Sequence, residues 1–265
     1  MSKPEPIYTP DSIKVAYQLL WSLSVFWREA LGFDVWLGDL KAVAETDGVR
    51  LLEHRFATPT TSLFLLSTRP EFVPQDIPRV IKGRLQYLVR DEFPKAFQRN
   101  FDLRAIGSTS REKTEAYVAS QLEHHHADDP ELRRNLADLQ FENPEVDLGS
   151  PQFVAHARYW LNLHLVLVHD WRKHEHDSQV WQAVRDLLRK SAAQRGWEFS
   201  RLGVLPDHLH LTLRIRPSDA PQAVVLSCMN NVAFAHDMQP VLMPSCWIGT
   251  IGEYDLGAIH RSNES

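Results

Sequence analysis

Cysteine is scarce. The 265-residue chain has two, Cys228 and Cys246. That count gives no Cys-x-x-Cys metal knuckle and no disulfide framework, and it suits a reducing cytoplasm. Long apolar runs are missing too. None approaches the ~20 residues of a membrane span, so no membrane partner is expected. The opening "MSKPEPIYTPDS" is polar and proline-bearing, unlike a secretory signal. Positive charge is in deficit, with a net charge of −5, which at first argues against a nucleic-acid partner. The deficit is local, however. Residues 127–153 carry Asp128, Asp129, Glu131, Asp138, Glu142, Glu145 and Asp147 against Arg133 and Arg134, which accounts for the whole excess. The rest of the chain is formally neutral and has room for a basic groove.

The hydrophobic content of 43% is ordinary for a globular protein, and the length allows one large domain or two small ones. The acidic stretch also holds Pro130, Pro144, Gly149 and Pro151, so it reads as a linker with one short helix. Its flanks look duplicated. "FATPTTSLFLLSTRP" (56–70) aligns without gaps on "GVLPDHLHLTLRIRP" (203–217). Pro59 then meets Pro206, Arg69 meets Arg216 and Pro70 meets Pro217, while Thr61 stands opposite His208 and Leu63 opposite His210. Residues 16–29 match 157–170 as an opening strand, and 35–54 match 180–199 as a helix leading to a strand. "FDLRAIG" (101–107) matches "CWIGTIG" (246–252) as a late strand ending in glycine. The expected units are a first repeat over 1–126, an acidic linker over 127–153 and a second repeat over 154–265.

The halves differ in their polar residues. Alternation along a strand puts His208, His210, Thr212, Arg214 and Arg216 on one face, with Leu209, Leu211, Leu213 and Ile215 on the other. Two imidazoles, a hydroxyl and two guanidinium groups could hold a metal ion and a phosphate, although simple solvation also produces polar strand faces. The first half lacks the histidines. Instead it continues "STSREKTEAYVASQLEHHH" (108–126), where Thr109 and Glu112 have capping-box spacing and Tyr117 and Gln121 lie four apart on one helix face. The second half ends "EYDLGAIHRSNES" and keeps no Tyr-x-x-x-Gln.

These residues resemble the single-tyrosine HUH transposases, including the REP-associated tyrosine transposases. "VLPDHLHLTL", "YVASQ" and the opening strand "LNLHLVLVHDWRK" carry the resemblance, which covers about 16–126 and 155–260. It implies an α+β chain of two tandem ferredoxin-like domains, each an antiparallel sheet with flanking helices. It also implies metal-dependent cleavage and joining of single-stranded or hairpin DNA through a 5′-phosphotyrosine. By position, Tyr117 would be the nucleophile, and His208, His210 and Gln121 would hold a divalent metal, Mg²⁺ or Mn²⁺. Family members are usually homodimers. Here the two motifs sit in opposite halves, which suggests a fused pseudo-dimer with one composite site, acting as a monomer or dimerising further. The second site, around Thr61, Leu63 and His260, would be dead.

The chemistry needs such groups. A cation offsets phosphate charge, and a tyrosine phenol, with an unperturbed pKa near 10, needs help to ionise at pH 7. Arg214 and Arg216 could assist. The helix "IPRVIKGRLQYLVR" (77–90) sets Arg79, Lys82 and Arg84 among apolar residues as a DNA-facing or simply solvated side. "HEHD" (174–177) reads as a charged loop, and His124 and His125 as a frayed helix end. Two rival readings stand: a non-catalytic DNA-binding descendant of such a transposase, and a 2H phosphoesterase based on "HLTL" (210–213), which would need a second His-x-Thr motif facing the first.

Overall fold

Alternation and helical spacing set the elements. In the computed structural model, which describes residues 5–124, 130–170, 178–205 and 207–253, the first half folds as β1 (Lys14–Gln18), β2 (Leu20–Trp27), α1 (Leu37–Thr46), β3 (Val49–Thr58), β4 (Thr61–Thr68), α2 (Asp76–Val89) and β5 (Phe97–Ile106). Along β2 and β4 every second residue is buried. Those residues include Trp21, Leu23, Trp27, Phe64 and Leu66, and they meet the face of α2 that carries Ile77, Ile81 and Leu85. Two indole N–H groups that would otherwise be buried unpaired find hydroxyls: Trp21 donates to Thr68 at 3.0 Å and Trp27 to Ser62 at 2.8 Å.

The second half repeats the pattern. After β8 (Ala157–Trp160) come β9 (Asn162–His169), α6 (Ser178–Arg195), β10 (Glu198–Val204), β11 (His208–Arg214), α7 (Pro221–Ala235) and β12 (Leu242–Thr250). Trp181, Val184, Leu188 and Ala192 form the buried stripe of α6. Pro221 opens α7 from an extended Ala220, where the missing N–H costs nothing. Strand order is β3-β4-β2-β5 in one sheet and β10-β11-β9-β12 in the other, so each half is a βαββαβ unit of ferredoxin-like order in an α+β chain.

The halves are laced together reciprocally. The stretch expected as one opening strand is two strands in each half, split at Leu19 and at Leu161, both buried. The first piece crosses to the other half's sheet. β1 pairs parallel with β12, and β8 pairs parallel with β5. Gln75 N donates to Pro217 O, and Gln222 N donates to Pro70 O, each at 2.9 Å. Such mutual pairing is the mark of an isologous, two-fold interface. It bears out the alignment of Pro70 with Pro217. Where β5 and β12 end, Gly107 N donates to Gly252 O at 3.1 Å. A Cβ on Gly107 would stand 2.7 Å from Thr250 O, and one on Gly252 would collide with Ala105 O, so the glycine that closes each late strand permits the crossing. The Thr250 hydroxyl accepts from Leu20 N at 2.8 Å and donates to Ile106 O at 2.6 Å at the same junction.

The acidic stretch is built into both sheets. It holds α5 (Pro130–Leu139), and β6 (Phe141–Glu142) extends the second sheet beside β10. β7 (Gln152–Val154) extends the first sheet beside β8. Two of its acids meet arginines: Glu142 pairs with Arg201 at 2.7 Å, and Asp147 with Arg111 at 2.7 Å. Among the described residues no helix is long and apolar enough to cross a membrane.

Candidate active site

The strand face that carries His208 and His210 lies under a helix from the other half. α3 (Arg111–Ala119) leaves β5 of the first half and packs across β10 and β11 of the second. The helix begins one residue later than the Thr109–Glu112 spacing suggests. Ser110, in extended conformation, is the N-cap and accepts from Lys113 N at 3.4 Å, while Glu112 pairs with Arg111. Arg111 also reaches Asp147 in the acidic stretch and ties the start of α3 to the loop that Arg214 holds. At the strand, Gly203 pairs with His210 in the β10–β11 ladder, and Val118 of α3 packs over Gly203. The same packing brings the neighbouring residue, Tyr117, to the histidines.

Tyr117 meets His210 edge to face, with ring centroids 5.5 Å apart. The His208 and His210 rings are 4.8 Å apart at 80°. The Tyr117 side chain is 49% exposed, while His210 is 5% exposed and His208 half-buried. The phenol therefore faces solvent while the imidazoles line the floor. α3 ends at Ala119, and α4 (Gln121–His124) starts with a buried Gln121, whose amide donates to Tyr117 O at 3.3 Å. One chain thus brings Tyr117 and both histidines together, with Gln121 one turn on.

Two participants were not singled out in the sequence. His164 of β9 lies beneath His210, with Nε2 and Nδ1 2.9 Å apart and the rings stacked at 5.1 Å. Burial pushes the His164 pKa down to about 4, so it is neutral at pH 7. Asp207, also buried, lies 2.6 Å from His208 Nδ1. A carboxylate there fixes the tautomer and leaves Nε2 with the lone pair. Asp207 adjoins the motif and was legible as a carboxylate beside a histidine. His164 was not, because its position depends on the pairing of β9 with β11, where it faces Thr212.

The arginines are engaged elsewhere. Arg214 is 8% exposed and donates to Glu198 at 2.9 Å, to Ser150 O at 2.9 Å and to Asp147 O. It fastens the loop before β7 to the sheet. Arg216 forks onto Asp219 beyond the end of β11. On α2, Arg79 pairs with Asp76 at 3.2 Å, Arg84 forks onto Asp47, and Lys82 donates to Gln98 O at 2.8 Å. His125, the 174–177 run, Pro206 and His260 lie outside the described residues. Among the described residues no group of three or more His, Cys, Asp or Glu is placed to hold a metal ion. The two imidazoles lie side by side, while the buried Gln121 carboxamide donates to Tyr117 O. Both rings have a partner on Nδ1, and fewer than four protein donors suits an ion whose remaining positions go to water and substrate oxygens.

Comparison with known proteins finds partial likenesses to transposases. Residues 157–234 match the family profile described as "Transposase IS200 like". Over 62 residues the chain is 37% identical to the ISDra2 transposase TnpA of Deinococcus radiodurans, covering 23% of this chain and 44% of that protein, so the match spans under half of the relative's length. A solved structure described as a transposase from Deinococcus radiodurans R1 is 28% identical, with 39% of this chain and 88% of that one covered at a TM-score of 0.32. A REP-associated tyrosine transposase bound to a REP hairpin is 17% identical, with 38% and 61% covered, also at 0.32. Residues 157–234 are thus similar to the IS200-like transposases.

Proposed function

We propose that this protein cleaves and rejoins single-stranded DNA at one composite site, with Tyr117 from the first half and His208 and His210 from the second. The observation that carries the reading is the meeting of the Tyr117 and His210 rings across the two halves. The Tyr117 Oη attacks a phosphodiester phosphorus. The bond to the leaving 3′ oxygen breaks, and the 5′ phosphate stays on the tyrosine. Attack by a 3′ hydroxyl reverses the step and joins strands. His208, His210 and Gln121 would hold a divalent cation, Mg²⁺ or Mn²⁺, which when bound offsets phosphate charge. Asp207 and His164 hold the two imidazoles in orientation. α3, anchored by Ser110 and by the Arg111–Asp147 pair, aims the phenol. Arg79, Lys82 and Arg84 would reach phosphate only by leaving their present partners, as would Arg214 and Arg216.

A second reading is favoured by one observation, the lack of a three-residue His or acid cluster among the described residues. In it the chain binds hairpin or single-stranded DNA without cutting. The 2H alternative fares less well: the strand paired with His210-x-Thr212 offers His164 followed two residues on by Val166, not a second His-x-Thr. The experiment incubates the full chain with hairpin-bearing single-stranded oligonucleotides and Mn²⁺ and seeks a covalent Tyr117 adduct by mass. The proposal expects an adduct that disappears in Tyr117→Phe and in His208→Ala. DNA binding with no adduct under any divalent metal would favour the binding-only descendant.

A further inference from the structure

The face of the first sheet that corresponds to the histidine face has no described helix over it. Ser22, the register counterpart of His164, and Ser24 lie in its middle beside Leu63 and Leu65, all half-exposed. At one margin, Arg104 pairs across β5 and β8 with Trp160, and its guanidinium carbon stands 3.7 Å from the Trp160 ring centroid. Next to them Phe153, 75% exposed, pairs with Arg158 across β7 and β8. Arg158 is neutralised by Asp102 at 2.7 Å. Arg104 makes no such pair among the described residues. At the other margin Arg55 Nε is buried without a hydrogen-bond partner, opposite Leu63.

We propose that this open face binds single-stranded DNA, with bases stacked on Trp160 and Phe153 and phosphates taken by Arg104 and Arg55. The choice of occupant follows from the chemistry. Phe153 offers an exposed π face that any base can use, Trp160 extends it where Arg104 shifts off its ring to a phosphate, and guanidinium groups without a carboxylate partner on both margins ask for an anion. A sheet face whose aromatics stack bases is a known way of holding single strands. The proposal rests on the reading that the substrate is DNA. On it, the half without histidines holds the strand that flanks the cleavage site.

The test uses fluorescein-labelled dT20 and anisotropy with the full chain in EDTA, so that cleavage plays no part. Phe153→Ser, a change at an exposed position, is expected to weaken binding at least fivefold, and Phe153→Ser with Trp160→Ala at least tenfold. Arg104→Gln with Arg55→Gln is expected to flatten the salt dependence by about 1.4 in log–log slope. Adduct formation on an oligonucleotide too short to leave the tyrosine site should keep its wild-type rate in all these variants. That control separates failure of the platform from failure of the catalytic proposal. Unchanged affinity and slope would overturn the platform. So would two other results obtained with unchanged affinity: dissociation of a self-associated species in the variants, which would make a second copy the occupant, or a loss of thermal stability seen in the full chain but not in a chain ended at Glu253, which would make residues 254–265 the occupant.

Discussion

The two sheets differ most on one face. In the second sheet, every residue of β11 from Leu209 to Arg214 is buried, because helices cover one side and α3 the other. In the first sheet, β4 is buried on alternate residues only. The same register position holds His210 in one and half-exposed Leu63 in the other. On the proposed function, the histidine pair is half of a site and the covering helix is the other half. A fold built twice can keep one complete site by taking the helix from one copy and the strand from the other.

The largest test breaks that division directly. His208→Ala with His210→Ala should lower cleavage at least 10³-fold, measured as adduct formed per minute. Adding Thr61→His and Leu63→His to the same chain should restore nothing, since no described helix sets a phenol over the first sheet. Recovery to within tenfold of wild type would mean that the sites do not depend on the crossing of α3.

A second test compares Arg214 with its register counterpart Ser67. Arg214 is buried, and its loss leaves the Asp147 and Ser150 carbonyls and Glu198 without their donor. Arg214→Ala should cost about 2–4 kcal/mol in denaturant unfolding, by analogy with the breaking of buried charged networks. Ser67→Ala should cost within about 0.5 kcal/mol. Arg214→Ala should also slow adduct formation, because the same loop receives Arg111 from the start of α3. Equal small losses at both positions would remove Arg214 from the framework of the site.

Much of this was legible in the sequence and some was not, for definite reasons. The repeat was readable because the Arg-Pro that follows β4 and β11 makes the reciprocal contacts at Pro70 and Pro217, and because the glycines that close β5 and β12 meet each other. The breaks at Leu19 and Leu161 were hidden. A leucine within an apolar run reads as more strand, and only the other half's open edge makes the chain change sheets there. Arg214 and Arg216 looked like phosphate ligands from strand parity. Parity gives the face of a side chain, not what already occupies that face, and here the acidic stretch and Asp219 do. His164 was hidden for the same reason, since its partner lies 46 residues away in sequence.

A third test concerns acid. His54 in the first half packs against Trp36, Phe56 and Phe64 and lies 3.1 Å from the Ser62 hydroxyl. Burial lowers its pKa from 6.5 to about 4, against an opposing pull from Asp34. The unfolded chain therefore takes up a proton near pH 6.5 that the folded chain refuses until about pH 4. This stability is fully present above pH 6.5 and is lost as pH falls from there towards 4. His54→Leu should flatten the dependence of the urea midpoint on pH across that window. An unchanged slope would place the acid sensitivity elsewhere.

The smallest expected effect separates the two second helices. α7 carries no charged residue, while α2 presents Arg79, Lys82 and Arg84. If α2 were a main DNA-facing helix, replacing all three by glutamine would flatten the salt dependence of oligonucleotide binding by two to three units in log–log slope, at roughly 0.7–0.9 per phosphate contact. Each of the three already has a partner in Asp76, Asp47 or the Gln98 carbonyl, and an exposed ion pair is worth at most about 1 kcal/mol, so it yields to phosphate without much gain. We expect a change of less than one unit, smaller than that produced by Arg104 and Arg55 together. A change of two or more would move the DNA path to the helix side of the first half. The sheet face and the helix face of the first half would then have exchanged roles.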